Sequence, residues 1–254
     1  MKEAVRITYI SNAGILADFG GKKILIDGLY NSKVPFFRNL PPEIKKQVLG
    51  GIPPFDNISL LLFTHEHTDH FEAISTAEFL RQEKNAYLIG NRKVVGEVTR
   101  LDPDLDKKCL FVDLAPGNSA YININSINVK MISLWHEGKE YADVQNIAFL
   151  LEAAGKKVLH VGDAKPSVEN FAPFPLAGAG IDLLVAPFPF LSLPSARKVI
   201  EKYLKPRKIA VIHLPHREDD RFGWINATKK SFDRVKDDFF ETVVFERFGE
   251  DLVI

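Results

Sequence analysis

The chain has 254 residues and only one cysteine, Cys109. A single thiol cannot form an internal disulfide, a cysteine-rich zinc site or a redox pair, so the sequence predicts a reducing, cytoplasmic location. Long apolar runs are also lacking: no segment approaches the ~20 apolar residues that a membrane span needs. The start, MKEAVRITYI, has a strand-like alternation and no apolar signal segment. We therefore expect neither export nor a membrane span.

An excess of charge of either sign is missing as well. The 33 basic residues balance 33 acidic ones, and the two kinds are well mixed along the chain. The sequence thus offers no electrostatic surface for nucleic acid or anionic membranes, and a small molecule is the expected substrate. The hydrophobic content of 46% allows a sizeable core. A single domain over residues 1–254 is the default expectation, and a homo-oligomer stays open.

Strands and helices are predicted in an order that favours two packed sheets. Short β-branched runs predict strands, and periodic apolar positions predict helices, the last of them following a cap at Asn226. The order of strands, helices, strands and helices suits an α/β sandwich better than a doubly wound sheet. The predicted strands are 4–10, 14–19, 22–27, 58–64, 119–134, 146–152, 156–161, 181–186, 208–212 and 242–246, and the predicted helices are 71–83, 92–101, 194–205 and 226–240.

Two irregular segments, 29–57 and 165–194, interrupt this pattern. They hold five and six of the fifteen prolines, together with several aromatic residues. Long loops inside a compact domain are often functional lids, and the aromatic content argues against disorder. Packing over the core or a contact between subunits is an equally good interpretation.

The segment THEHTDH, residues 64–70, contains three of the seven histidines. An extended backbone places residues two apart on the same side, so His65 and His67 can face one metal ion. Asp69 and His70 precede a predicted helix and can face a second ion. Such a motif predicts a metal site, either catalytic or, where the coordination is closed, structural.

Three further residues end strand-like runs and complete a possible dinuclear site. His136 follows MISLW, Asp163 follows VLHVG and His213 follows IAVI. Each alone is a weak signal, because strand-end histidines and strand-Gly-Asp turns are common. Together with THEHTDH they supply five imidazoles, a terminal carboxylate and a carboxylate able to bridge two ions.

In this order and at these separations, HEHTDH, a strand-end histidine, VGD and a last strand-end histidine resemble the metallo-β-lactamase fold hydrolases. The opening YISNAGILADFGGKKILID is similar to the compact branch related to L-ascorbate-6-phosphate lactonase, from which Gly28 and Ala164 depart. The resemblance implies an αββα sandwich of two mixed sheets. It also implies one metal held by His65, His67 and His136, a second held by Asp69, His70 and His213, and Asp163 as the bridge between them.

Two divalent ions can hold a water between them, lower its pKa and so generate a bound hydroxide that cleaves an ester, lactone or phosphodiester bond. The imidazole and carboxylate ligands suit zinc, although manganese or iron would also fit. Asp69 and Asp163 are the expected catalytic residues, with Asp69 also orienting the nucleophile. His216 and Arg217, in the loop after the last ligand, are candidates for binding the substrate, against a solvated loop.

Two alternatives stay open. The chain can be a metal-binding or regulatory protein without turnover, although all seven ligands are present. A di-iron oxygen-reducing protein is less favoured, because such members of the family carry glutamate where this chain has His67. A secreted β-lactamase, a glyoxalase II and a tRNA-processing nuclease are disfavoured by the absence of a signal segment, of an added helical domain and of a basic surface.

Overall fold

A computed structural model describes residues 4–254, which form two compact units. The first contains the residues up to Asp113 together with Arg247–Val253, and the second contains Leu114–Glu246 and Ile254. Each unit has its own seven-stranded sheet and its own apolar core. That residues 1–254 form a single domain stays a prediction from the sequence.

The described residues form fourteen strands and seven α-helices. The strands are β1 (Val5–Ser11), β2 (Gly14–Phe19), β3 (Lys23–Ile26), β4 (Ile58–Leu62), β5 (Tyr87–Asn91), β6 (Cys109–Val112), β7 (Ser119–Ile124), β8 (Ile127–Trp135), β9 (Gln145–Ala153), β10 (Lys156–His160), β11 (Leu183–Pro187), β12 (Lys208–Ile212), β13 (Glu241–Val244) and β14 (Asp251–Val253). The helices are α1 (Pro42–Leu49), α2 (Ala73–Gln82), α3 (Arg92–Leu101), α4 (Val168–Phe171), α5 (Pro189–Ser192), α6 (Pro194–Val199) and α7 (Trp224–Asp233).

The sheet of the first unit has the order β14-β1-β2-β3-β4-β5-β6. Strands β14, β1, β2 and β3 pair antiparallel, whereas β3 to β6 are parallel. Parallel neighbours need crossover connections, which α2 and α3 supply between β4, β5 and β6. The carboxyl ends of β3 and β4 therefore meet at one edge of the sheet, where polar groups from their following loops collect.

The sheet of the second unit has the same plan, in the order β13-β12-β11-β10-β9-β8-β7. Strands β7 to β10 are antiparallel, and β10 to β13 are parallel. The loops after β10, β11 and β12 thus leave the sheet at a common edge. Two mixed sheets with helices confirm the predicted α/β class. Within residues 4–254, no helix has the length and apolar character required to cross a bilayer.

Both proline-rich segments contribute to the cores. In 29–57, helix α1 interrupts the irregular chain, and Leu40, Val48 and Phe55 are buried in the core of the first unit. In 165–194, Phe171 and Phe190 are buried in the core of the second unit. These contacts favour the interpretation that the segments pack over the core.

Helix α7 differs from its prediction. It runs from Trp224 to Asp233 and not over 226–240, so Asn226 lies inside the helix and does not cap it. The carboxylate of Asp220 accepts hydrogen bonds from the backbone N–H groups of Trp224 and Ile225, at 2.8 and 2.9 Å. The signal was missed because this carboxylate reaches the helix start from four residues upstream, farther than an ordinary N-cap.

The predicted stretch 119–134 is a hairpin of β7 and β8. Its turn residues, Asn125 and Ser126, have φ of 53° and 61°. Two successive positive φ values are typical of the tight turns whose twist matches that of paired strands. The sequence pattern also missed β5, β6 and β14, which are short strands of three to five residues.

Candidate metal centre

In the first unit, the histidine motif forms the loop between β4 and α2. His65 and His70 are fully buried, and Asp69 is nearly so. The backbone N–H groups of His70 and Phe71 both donate to the carbonyl of His67, which closes a tight turn before the helix. The turn brings His65, His67, Asp69 and His70 together, as the spacing predicts.

The imidazole nitrogens of this loop converge. Nε2 of His65 lies 3.0 Å from Nδ1 of His67, and the ring centroids of His65 and His70 are 4.0 Å apart. Two nitrogens that coordinate a tetrahedral zinc ion at ~2.0–2.1 Å are separated by roughly 3.3 Å. Oδ2 of Asp69 is 3.9 Å from Nε2 of His70. The donor atoms thus lie at separations that a metal ion can span.

Asp27, at the end of β3, fixes the orientation of these rings. Its fully buried carboxylate accepts hydrogen bonds from the backbone N–H and the hydroxyl of Thr64 and lies 2.9 Å from Nδ1 of His70. The hydroxyl of Thr64 is 3.0 Å from Nδ1 of His65. Because Nδ1 is engaged in both rings, their Nε2 atoms are left for a metal. Asp27 is not among the site residues predicted from the sequence, although it follows the apolar run KKILI.

Asn12 supports Asp69 from the turn between β1 and β2. Its side-chain N–H₂ donates to the backbone carbonyl of Asp69 at 2.7 Å and lies 3.4 Å from the carboxylate. The hydroxyl of buried Tyr9 donates to the Asn12 carbonyl. Burial raises the pKa of Tyr9 and of nearby Tyr30 above the ordinary value, so both phenols stay protonated as donors. This scaffold was also missed, because a lone Asn in a turn carries no distinctive signal.

Three residues at or beside the two half-sites have left-handed backbones. Asn12, Asp27 and His213 have φ of 51°, 47° and 62°. Asn, Asp and His are the non-glycine residues found most often in this region, which persists where the surrounding structure demands it. The backbone of His213 is therefore fixed by its position at the end of β12.

In the second unit, Asp163 lies between two histidines. Its Oδ2 is 3.4 Å from Nε2 of His213 and 3.8 Å from Nε2 of His136. Nδ1 of His136 contacts the carbonyl of Glu137, which leaves its Nε2 on the side of Asp163. The second unit thus brings together the three predicted ligands that it contains, one for each proposed metal and the proposed bridge.

Two buried asparagines hold the loops that carry these groups. Asn146 accepts from the backbone N–H of Asp163 and donates to the carbonyl of Val161, at 2.9 Å in each case. Asn170 bonds both backbone groups of Trp135, directly before His136. Asn146 thus fixes the backbone on both sides of Gly162 by hydrogen bonds. His160 is fully buried in β10 and accepts from Gly162 N–H, as expected of a core residue.

The two positions that depart from the compact branch are both closely packed. A Cβ atom at Gly28 would lie 2.4 Å from a methyl carbon of Leu25, so the Leu25 side chain would have to shift to admit a larger residue. Ala164 is buried and forms an isolated bridge with His136. Neither residue contributes a ligand atom.

The remaining candidates lie near or outside this cluster. His216 and Arg217 are exposed, and the guanidinium of Arg217 pairs with Glu246 at 3.1 Å. Burial alone would raise the pKa of Glu246, but hydrogen bonds from Lys229 and Arg217 hold it below the usual range. Glu66, between the predicted ligands His65 and His67, pairs with Lys93 at 2.7 Å.

The donor set of the two units fits divalent metals. Imidazole suits zinc, iron and related ions, and carboxylates complete the coordination of harder ones. Within each unit the donors are close together, largely buried and oriented by further hydrogen bonds, as metal ligands usually are. The ligand atoms of His65 and His67, of His65 and His70 and of Asp69 and His70 each lie within 4.8 Å of one another.

The chain is similar to known proteins in sequence and in fold. A family model described as the beta-lactamase superfamily domain matches residues 22–196. A UPF0173 metal-dependent hydrolase of Pyrococcus abyssi is 22% identical, over 98% of this chain and 99% of the relative. Igni18, a metallo hydrolase of Ignicoccus hospitalis, has a solved structure with a TM-score of 0.66, at 16% identity and 99% coverage of both chains. CmlA, a diiron β-hydroxylase of Streptomyces venezuelae, also has a TM-score of 0.66, at 16% identity, and covers 99% of this chain but 54% of CmlA.

These structural similarities confirm the predicted metallo-β-lactamase fold. At such low identities they show the fold alone, which here is shared by a hydrolase and a diiron hydroxylase. Membership of the branch related to L-ascorbate-6-phosphate lactonase stays a prediction.

Proposed function

Because the chain belongs to the beta-lactamase superfamily domain family, we propose that it is a metal-dependent hydrolase of a small molecule. One observation carries the proposal: Nε2 of His65 and Nδ1 of His67 converge to 3.0 Å in a strand-end loop. Such a convergence of imidazole nitrogens is typical of a metal site. The name of the Pyrococcus abyssi relative, a metal-dependent hydrolase, supports the same function.

The proposed ligands follow the resemblance. His65, His67 and His136 would hold one divalent ion, Asp69, His70 and His213 a second, and Asp163 would bridge the two. Zinc suits this set, and manganese or iron would also fit. When bound, such ions polarise the scissile carbonyl or phosphoryl oxygen and lower the pKa of water.

The chain's own residues would orient the reactants. Asp27 would keep Nε2 of His70 directed at the proposed metal position, and Thr64 would do the same for Nε2 of His65. Asn146 fixes the backbone of Asp163. The carboxylate of Asp69, steadied by Asn12, would accept a hydrogen bond from the attacking water and so aim it at the substrate.

The proposed substrates are small esters, lactones or phosphodiesters. His216 and Arg217, in the exposed loop after His213, are the proposed substrate contacts. Arg217 would have to exchange its ion pair with Glu246 for a substrate anion. An exposed ion pair contributes little to stability, so this exchange costs little.

The decisive experiment compares metal content and hydrolysis in the wild type and in Asp163→Asn. Purified protein is analysed for metals by mass spectrometry and assayed with bis(4-nitrophenyl) phosphate and a panel of lactones. We expect the wild type to cleave one substrate class. Asp163→Asn should lose activity by about 100-fold or more, which exceeds the 10–100-fold loss typical of removing a residue that only orients a metal ligand. Glu137→Gln removes an exposed carboxylate next to His136 and should retain activity.

Other outcomes would favour the alternatives. Two bound metals without turnover of any substrate would indicate a binding or regulatory protein. Iron as the native metal, with oxygen consumption in place of hydrolysis, would indicate a diiron protein. The similar fold of CmlA, a diiron β-hydroxylase, makes that alternative worth measuring.

A further inference from the structure

Tyr141 packs against one of the proposed ligands inside the second unit. Its ring and the imidazole of His136 have centroids 4.9 Å apart, and their planes are inclined by 62°. Edge-to-face ring pairs prefer centroid separations of about 4.5–7 Å, so the two rings are in direct contact. Tyr141 is not among the seven proposed ligands, and its contact with His136 therefore needs an explanation of its own.

The loop after β8 turns back and brings Tyr141 onto His136. The backbone N–H of Tyr141 donates to the carbonyl of Gly138 at 3.2 Å, and the N–H of Val144 donates to the carbonyl of Tyr141 at 3.0 Å. Gly138 has φ of 95°, and a Cβ atom there would lie 2.9 Å from Cδ2 of Tyr141. Glycine at this position therefore permits the turn and leaves room for the tyrosine ring.

The contact restrains the His136 ring in a way that its hydrogen bond does not. Nδ1 of His136 lies 2.5 Å from the carbonyl of Glu137, the next residue in the chain, and this contact directs Nε2. A hydrogen bond at one nitrogen still lets the ring tilt about the axis of that bond, whereas a second ring packed against the imidazole opposes the tilt. The His136 side chain is 4% exposed and Tyr141 is 39% exposed, as expected where one ring covers the other.

We propose that Tyr141 is a positioning residue, whose ring holds the imidazole of His136 in the orientation that binds a metal ion. This inference rests on the proposed function. Metal ligands have to be held within about 10–20° of their productive geometry, and side chains packed against them provide this restraint. An aromatic pair changes an equilibrium constant by a factor of roughly two to ten beyond the effect of area burial. Under the proposed assignment His136 binds only one of the two ions, so Tyr141 acts on that ion.

The test compares metal binding by two variants of Tyr141 in the full chain. Tyr141→Phe keeps the ring and removes only the hydroxyl, whereas Tyr141→Leu keeps an apolar side chain and removes the ring. Each protein is freed of metal and titrated with Zn²⁺ in competition with a chromophoric chelator. A parallel titration uses Co²⁺, whose visible absorption depends on the geometry of its ligands. Neither measurement requires a substrate or turnover.

We expect Tyr141→Leu to weaken the binding of one ion about two- to tenfold and to change the Co²⁺ spectrum of that ion, while the second ion binds as in the wild type. Tyr141→Phe should match the wild type in both measurements, because it retains the ring. Tyr121→Leu is the control: Tyr121 is 72% exposed and pairs with Lys130, six residues before His136 and thus about 20 Å away along the strand. It should leave both zinc affinities unchanged.

Three results would overturn the positioning role while leaving the hydrolase proposal standing. They are an unchanged affinity and spectrum in Tyr141→Leu, an equal weakening of both ions, which would indicate a general effect on the fold, and an equal loss in Tyr141→Phe, which would assign the effect to the hydroxyl. A wild-type chain that binds neither zinc nor cobalt would count against both proposals. Thermal melts verify that each variant folds, and Tyr141→Met replaces Tyr141→Leu if the latter does not.

Discussion

At the scale of single residues, Asp27 orients the residues of the histidine motif in the first unit. It is fully buried and bonds to Thr64 and His70. A buried carboxylate without such partners would be strongly destabilising. Its hydrogen bonds therefore offset the free-energy cost of burying the carboxylate. They also engage Nδ1 of His70, which leaves Nε2 for the proposed metal.

Asp27→Asn should weaken zinc binding by about 10–100-fold, the typical effect of removing a partner that orients a metal ligand. Asparagine tolerates the left-handed backbone at this position, so the substitution changes charge with little change in shape. Competition with a chromophoric zinc chelator measures the affinity. Asp56→Asn is the control, because it changes only a carboxylate that pairs with Lys23 at the start of β3. Wild-type affinity in Asp27→Asn would show that the rings are held without it.

At the scale of elements, the ends of the parallel strands position the functional groups. Asp27 follows β3, Asp163 follows β10 and His213 follows β12. At the start of α7, the place of Trp224 depends on the Asp220 carboxylate. That carboxylate satisfies two of the backbone N–H groups that every helix start leaves unpaired.

Asp220→Ala should lower the free energy of unfolding by about 1 kcal/mol, the typical cost of losing a helix cap. It should also change the fluorescence of Trp224, because the ring loses its fixed position. Urea denaturation and emission spectra measure both effects, in a Trp135→Phe background that leaves Trp224 as the only tryptophan. Asp233→Ala, at the other end of α7, should be neutral or stabilising, since a negative charge there opposes the helix dipole. An unchanged stability in Asp220→Ala would argue that packing alone fixes the helix start.

At the scale of the whole molecule, the proposed ligands belong to both units. The first supplies His65, His67, Asp69 and His70, and the second supplies His136, Asp163 and His213. Under the proposed assignment each ion takes ligands from both. Metal binding should therefore stabilise the chain as a whole, because only the folded state presents the complete set.

Removing the metal should lower the stability of the whole chain. With free zinc at a thousand times its dissociation constant, linkage predicts a loss of about 4 kcal/mol on chelation. Thermal melting with and without EDTA measures the effect. His65→Ala and His213→Ala, one in each unit, should each reduce the zinc-dependent shift. A shift of unchanged size in either variant would contradict the shared assignment.

The seven proposed ligands could be selected from the sequence because chemistry and spacing act locally. THEHTDH is dense in donors, and His136, Asp163 and His213 each end an apolar run, but each of these three is a weak signal alone and its ligand role follows from the family resemblance. The same periodicity predicts most strands and the α/β class. Residues whose role depends on a distant partner gave no such signal.

What the sequence by itself determined is therefore the fold class and the kind of atoms at the site. Only the tertiary structure decided that Asp27 and Asn12 orient the first half-site, that Asp220 sets the start of α7, and that Phe188, Trp224 and Phe222 stack. The contacts of Asp27, Asn12 and Phe188 join groups far apart in the chain, which local periodicity does not relate. They form because the strand order brings separate loops to one sheet edge, and that order is a property of the folded chain.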